Sequence, residues 1–325
     1  MKFAPATRIH FVRSIVGASI AFAPLLHAGV VTDGTVGAAG AIGKVGGNFP
    51  IPSTLGTKAG GNLFHSFSQF DLSAGESATF SGTNDVGNIL ARVTGGSASS
   101  IDGTIRSTIP NANLFLINPS GVLFGPNAKL EVDGSFAATT ADYVKLNGGG
   151  RFDAKTPSND VLTVAPVSAF GFLAPKPAAI SAAGSTLAGA NGKKLSFVGG
   201  DLALNASKLT APSGRIELWS ANSAGEIAAA DGAGTLGGFI HMLRTRADAS
   251  GDPGGSIVIR SGQLLVDRSS IVSENDGALP GGGIDVSVSG AAVLQLNSRV
   301  VTAALGAGAA GDVSLRAGGL SLYGN

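Results

Sequence analysis

The sequence predicts an all-β protein wound as a parallel β-helix, a solenoid of short stacked strands, and three observations predict it. Of 325 residues, 50 are Gly and only 13% are charged, where an average soluble domain has about 25% charged residues. Glycine at that density interrupts any window that would build an amphipathic helix. Short apolar runs rich in strand formers flank polar corners, as in Asn113 to Gly125, NLFLINPSGVLFG. Finally, Gly255-Ser256-Ile257-Val258-Ile259, Gly283-Ile284-Asp285-Val286-Ser287 and Gly311-Asp312-Val313-Ser314-Leu315 start 28 residues apart, and Gly262, Gly290 and Gly318 keep the same step. A fixed period made of units too small to bury their own apolar face marks a solenoid. A β-sandwich would explain the strands but not the step.

The chain opens with Lys2, Arg8 and Arg13, an apolar stretch from Ile15 to Leu26, and a small residue at Ala28. This reads as a secretory signal over residues 1–28, cleaved after Ala28 or within a few residues of it. A single-span anchor is the alternative, although the apolar stretch is shorter than the ~20 residues needed to cross a bilayer. The whole chain has 22 Lys and Arg against 21 Asp and Glu; the leader holds three of the basic residues and none of the acidic, so the remainder carries a net charge of −2. Nucleic acid is therefore not an expected partner, since phosphate binding needs a basic surface. With no cysteine in the sequence, stability has to come from a long apolar interior rather than from disulfides.

The corner at Asn118 is the densest signal in the next segment. Asn first, Pro second and Gly fourth match a type I β-turn, and the runs Leu114 to Ile117 and Val122 to Phe124 read as strands buried on both faces. Two readings stay open. Either the corner only turns one rung into the next, or it also nucleates folding and presents a surface to a partner.

Residues 156–190, with Pro166, Pro175 and Pro177, are expected to be an irregular segment or an excursion from the helix, because proline cannot donate to a strand ladder. Residues 191–325 read as β-helical repeats, beginning less regularly with Leu195 to Val198, Asp201 to Leu204 and Pro212 to Trp219. The sequence stops partway through the third regular copy, which leaves an open strand edge there.

Constellations for catalysis are sparse. Beyond the leader only His65 and His241 remain; His65, among strand-forming Phe residues, is expected to be packed rather than a ligand. No cysteine nucleophile and no Gly-x-Ser-x-Gly elbow is present. Asp85, Asp102, Asp133 and Asp142 are acidic candidates by type, but each sits in its own turn-like context, where such residues bond the backbone. Asp252-Pro253-Gly254-Gly255 reads as a turn rather than a calcium loop. No metal, cofactor or catalytic residue is expected.

The motifs Gly61-Asn62-Leu63-Phe64-His65-Ser66-Phe67-Ser68-Gln69-Phe70, Ile89-Leu90-Ala91-Arg92-Val93-Thr94-Gly95-Gly96, Ser100-Ile101-Asp102-Gly103, Ala112 to Val122 and Gly134 to Asp142 follow one another in an order that resembles the N-terminal secretion domain of filamentous-haemagglutinin-type exoproteins of two-partner secretion. The resemblance implies a right-handed parallel β-helix with N-terminal capping strands, a secretion domain over 29–155, and export through an outer-membrane β-barrel transporter with periplasmic recognition domains. The family's Asn-Pro-Asn-Gly-Ile motif falls on Asn118, Pro119, Ser120, Gly121 and Val122, which become the candidate partner-recognition residues. Its Asn-Pro-Asn-Leu motif has no counterpart between Phe80 and Ile89. The expected protein is a secreted or surface-held adhesin of a Gram-negative bacterium, or the N-terminal part of one, binding a ligand on a host or neighbouring cell and not an enzyme. The alternatives are a β-helical polysaccharide lyase or hydrolase, and the leading fragment of a contact-dependent toxin.

Overall fold

Leu63, Ile89, Leu114, Phe136, Leu195, Ile216, Ile257 and Ile284 stand one above another, each paired with the next across a parallel ladder. All are buried, and together with Ala91, Leu116, Phe197 and Leu218 two residues further along they fill one continuous interior. This is the inward half of a period-two pattern repeated rung after rung. The computed structural model describes residues 29–234 and 236–324; the leader read over 1–28 lies outside the described residues.

Each rung adds strands to further faces. A second ladder runs through Ser99–Ile101, Val122–Phe124, Ile180–Ala183, Leu202–Asn205, Phe239–Leu243 and Gln263–Asp267. The third face holds Asn48–Pro52, Ser77–Ser81, Thr104–Ser107 and Lys129–Glu131, then Thr186–Ala188, Lys208–Thr210, Arg246–Asp248, Ser270–Asn275 and Arg299–Ala304. The architecture is thus a parallel β-helix, and a sandwich, whose sheets would be antiparallel, is ruled out. Val30–Thr32 and Thr57–Ala59 pair antiparallel with Asn62–Phe70 and close the N-terminal end.

A second layer explains why the first face is buried on both sides. Tyr143–Leu146, Gly150–Asp153, Val167–Phe172 and Gly225–Ala228 form an antiparallel sheet outside the helix. It packs on the outward residues Phe64, Leu90, Ile117, Val198 and Trp219 to form a separate core, with Phe64 and Phe152 edge to face at 5.0 Å. Residues 156–190 are more regular than their prolines suggest: Pro166 directly precedes Val167–Phe172, and Pro175 and Pro177 lie between that strand and Ile180–Ala183. The prolines therefore spare every ladder N–H.

Two further expectations shift in detail. On the first face Ile257 pairs with Ile284 and Ile284 with Val313, one residue short of and one beyond the glycine step, because register follows the apolar alternation. Leu123 is only half-buried, since the outer sheet covers the first face and not the second. Val313–Tyr323 pairs with Ile284–Gln295, leaving Leu320 and Leu322 exposed on its free side.

Candidate functional site

The Asn118 side chain is fully buried, and every polar atom of it is used. Its amide nitrogen donates to the Ser97 carbonyl and to Ser99 Oγ, both at 3.0 Å, so it grips the preceding rung. Its Oδ1 accepts the Ser120 N–H at 2.9 Å, and its carbonyl accepts the Gly121 N–H at 3.0 Å, closing the turn. Gly121 has φ +119°, and a side chain there would press on the Ala179 carbonyl and on Ala98. Val122 is buried between Ser99 and Ile180. The five motif residues therefore form one corner, of which only Pro119 and Ser120 reach partly into solvent.

A larger polar cluster lies one strand away on the outward side of the first face, where Arg92 pairs with Ile117, and the sequence reading did not assign it a role. Arg92 is completely buried. Its Nε donates to Ser66 Oγ at 2.7 Å, one terminal nitrogen donates to Thr35 Oγ1 at 2.8 Å, and the other to the Asp153 carbonyl at 2.6 Å and to both Asp160 carboxylate oxygens. The guanidinium also lies 4.2 Å from the Phe152 ring centre, a cation–π contact strengthened by desolvation. One residue thereby ties the N-terminal cap, the first rung and the outer sheet. Asp33 completes the cluster by accepting from Ser66, Thr94 and Thr35; these hydrogen bonds hold its carboxyl below the usual range against the opposing effect of burial.

Asn62, Asn88 and Asn113 start successive strands and bond side chain to side chain at 2.8 and 2.9 Å. Asn62 Nδ2 also donates to the Thr163 and Ala165 carbonyls, fastening the outer layer. The sequence did carry a signal for this ladder, in the repeated Asn62-Leu63-Phe64, Asn88-Ile89-Leu90 and Asn113-Leu114-Phe115. Beside it, Asn113, Ser135, Lys194, Glu217 and Phe170 help to line a cavity of about 260 Å³ between the layers. Glu217 is already met by Lys194, Arg215 and Ser196 at 3.0, 2.8 and 2.7 Å.

The acidic candidates stand apart from one another, and three of the four are engaged. Asp85 meets Lys58 and Thr83, Asp102 accepts the Asn127 backbone and side-chain amides, Asp142 accepts the Leu173 N–H at 2.6 Å, and Asp133 is exposed. His65 is sealed in the core between Phe67 and Phe80, and burial pushes its pKa down to about 4 against the weaker opposing pull of the Leu55 backbone. His241 is stacked on Phe239, and burial lowers it too, against the pull of Asp267. Among the described residues no group of three or more His, Cys, Asp or Glu is arranged to hold a metal ion.

The family model of the TPS secretion domain matches residues 28–281. The chain is similar to the crystal structure of the filamentous hemagglutinin secretion domain, at 17% identity and a TM-score of 0.43, over 91% of this chain and 100% of that one. No curated protein matches.

Proposed function

The chain belongs to the TPS secretion domain family, a two-partner-secreted exoprotein whose route implies a transporter in the outer membrane, and on that premise we propose that it is a surface adhesin, or the N-terminal part of one, acting by binding rather than catalysis. The family match over 28–281 carries the reading. The separation of Asp85, Asp102, Asp133 and Asp142 into unconnected surroundings and the sealing of His65 in the core support binding over chemistry, because acid–base catalysis needs such groups gathered at one accessible place.

Export follows from how the ladders are connected. Each rung pairs with its immediate neighbours along the axis, as Asn88–Val93 does with Asn62–Phe70 and Asn113–Ile117. The transporter's periplasmic domains take up the unfolded chain, and outside the cell each completed rung templates the next and disfavours return. At the corner, Asn118, Gly121 and Val122 hold the turn, while Pro119 and Ser120 offer the surface that the transporter reads.

The test is release into the culture medium, with and without the transporter, for wild type, Asn118→Ala and a Pro119→Ala/Ser120→Ala pair. Release that depends on the transporter and falls for the exposed pair, with stability kept, supports the reading. Release that ignores the transporter overturns it.

A further inference from the structure

Between the second and third faces three successive rungs turn through one non-glycine residue in the left-handed region followed by a buried Ser or Thr, at Ala206-Ser207, Arg244-Thr245 and Arg268-Ser269. Ala206, Arg244 and Arg268 hold this corner at φ 48°, 49° and 48°. They stack directly: Ala206 N–H donates to the Leu243 carbonyl at 2.8 Å and Arg244 N–H to that of Asp267 at 2.9 Å. Beneath them runs a ladder of hydroxyls, in which Ser207 N–H donates to Thr245 Oγ1, Thr245 N–H to Ser269 Oγ, and Ser269 N–H to Ser298 Oγ at 3.3, 2.9 and 3.1 Å. These bonds build the corner without using the side chain of the left-handed residue. Glycine suits that conformation best, and Gly184 occupies the same place one rung before Ala206, its N–H bonded to the Asn205 carbonyl at 2.9 Å. Arginine at 244 and 268 is thus not demanded by the fold.

The adjoining column begins the third-face strands, where Lys208 pairs with Arg246, Arg246 with Ser270, and Ser270 with Arg299. The two columns together place Lys208, Arg244, Arg246, Arg268 and Arg299 on four consecutive rungs, spaced by roughly 4.8 Å. Lys208, Arg244, Arg268 and Arg299 are exposed. Nearby carboxylates neutralise little of this: Asp248 pairs with Arg246 at 2.8 Å, and Asp267 stands 3.9 Å from Arg268 while accepting the Gln295 amide. Among the described residues no ion pair holds Lys208, Arg244 or Arg299. A chain that is net negative beyond its leader therefore gathers five cations along a single corner, with Lys208, Arg244 and Arg299 outside any ion pair among the described residues, against their mutual repulsion.

We propose that this corner is a binding ridge for a linear carboxylated polysaccharide, a uronate polymer lying along the helix axis with its carboxylates taken by Arg244, Arg268 and Arg299. The planar guanidinium fork matches a carboxylate with two parallel hydrogen bonds. The ridge is two residues wide and follows the axis, a shape for a chain rather than for a broad lipid surface. Neither column carries an aromatic ring on which the bases of a single-stranded nucleic acid would stack. The inference names a ligand class for the binding reading above and rests on that reading, while transporter dependence is read out separately.

The experiment measures binding of the purified secreted chain to immobilised polygalacturonate at near-physiological ionic strength. It compares wild type, an Arg244→Gly/Arg268→Gly pair and an Arg244→Lys/Arg268→Lys pair, each with its thermal midpoint and its release into the medium. The glycine pair suits the backbone, so its midpoint is expected to hold or rise while binding weakens at least tenfold. The lysine pair keeps the charge but not the fork and is expected to fall between. No binding by wild type, or equal binding by the glycine pair, overturns the ridge. Binding of wild type to anionic phospholipid vesicles or single-stranded DNA as tight as to polygalacturonate overturns the assigned ligand. Normal release with lost binding separates failure here from failure of the export reading.

Discussion

Arg92 and Asp160, 68 residues apart, form a two-pronged ion pair at 2.7 and 2.8 Å inside the protein. Rungs on either side of Arg92 can close before Asp160 arrives, so the outer sheet is what satisfies the buried charge. Removing one partner of a buried pair costs about 3–5 kcal/mol. Asp160 keeps some solvent contact, so Asp160→Ala is expected near the lower end, about 3 kcal/mol. Urea unfolding measures it, and a loss below about 1 kcal/mol would place the pair with ordinary surface ion pairs.

Asn118 and Ser120 separate architecture from recognition. Asn118→Ala removes the bonds to the Ser97 carbonyl and the Ser120 N–H and leaves the buried Ser99 Oγ without its donor, and is expected to cost about 1–3 kcal/mol, the penalty of an unmet buried polar group. Ser120→Ala is expected to stay within about 0.5 kcal/mol of wild type, as surface changes do, and to show its effect in release alone. A Ser120→Ala chain with wild-type release would remove Ser120 from the recognition surface.

The helix was legible because inward positions recur with period two inside a repeating rung, and that pattern is local. The repeat even overstated its regularity, since glycines kept a constant step while Ile257, Ile284 and Val313 set the register. The outer layer was not legible. Whether Ile117 or Trp219 faces water or a second core depends on a sheet contributed from Tyr143 to Phe172 and Gly225 to Ala228, which no local pattern announces. Arg92 was hidden for the same reason: an arginine at an outward strand position reads as exposed until distant Asp160 and Phe152 cover it. At the corner the turn was readable from Asn118-Pro119-Ser120-Gly121, but the cross-rung bonds that consume the Asn118 side chain were not.

His65 predicts an acid-sensitive N-terminal end. In the folded protein burial holds its pKa near 4, while the unfolded chain has the ordinary value of 6.5. Stability from the neutral ring is therefore fully present above pH 6.5 and is lost as the pH falls towards 4, by about 3 kcal/mol in all. His241, also lowered by burial, acts in the same direction. His65→Leu, matching Leu116 and Leu218 in the same inward row, is expected to flatten much of this slope. Thermal midpoints across pH 4–7 for both proteins decide it, and parallel slopes would acquit His65.

Gly95 and Gly96 predict opposite reasons for adjacent glycines. A Cβ on Gly95 would lie 1.9 Å from the Ser68 carbonyl oxygen of the rung below, and backbone cannot step aside as a flexible side chain can. Gly95→Ala is thus expected to force two rungs apart at a cost of about 3 kcal/mol or more, the upper end for overpacking. Gly96 has φ +80° and open space around its Cβ, so Gly96→Ala meets only the conformational penalty of about 1–2 kcal/mol. Denaturation of the two variants ranks the effects. If Gly96→Ala proves the more damaging, backbone conformation rather than rung spacing is what this corner selects.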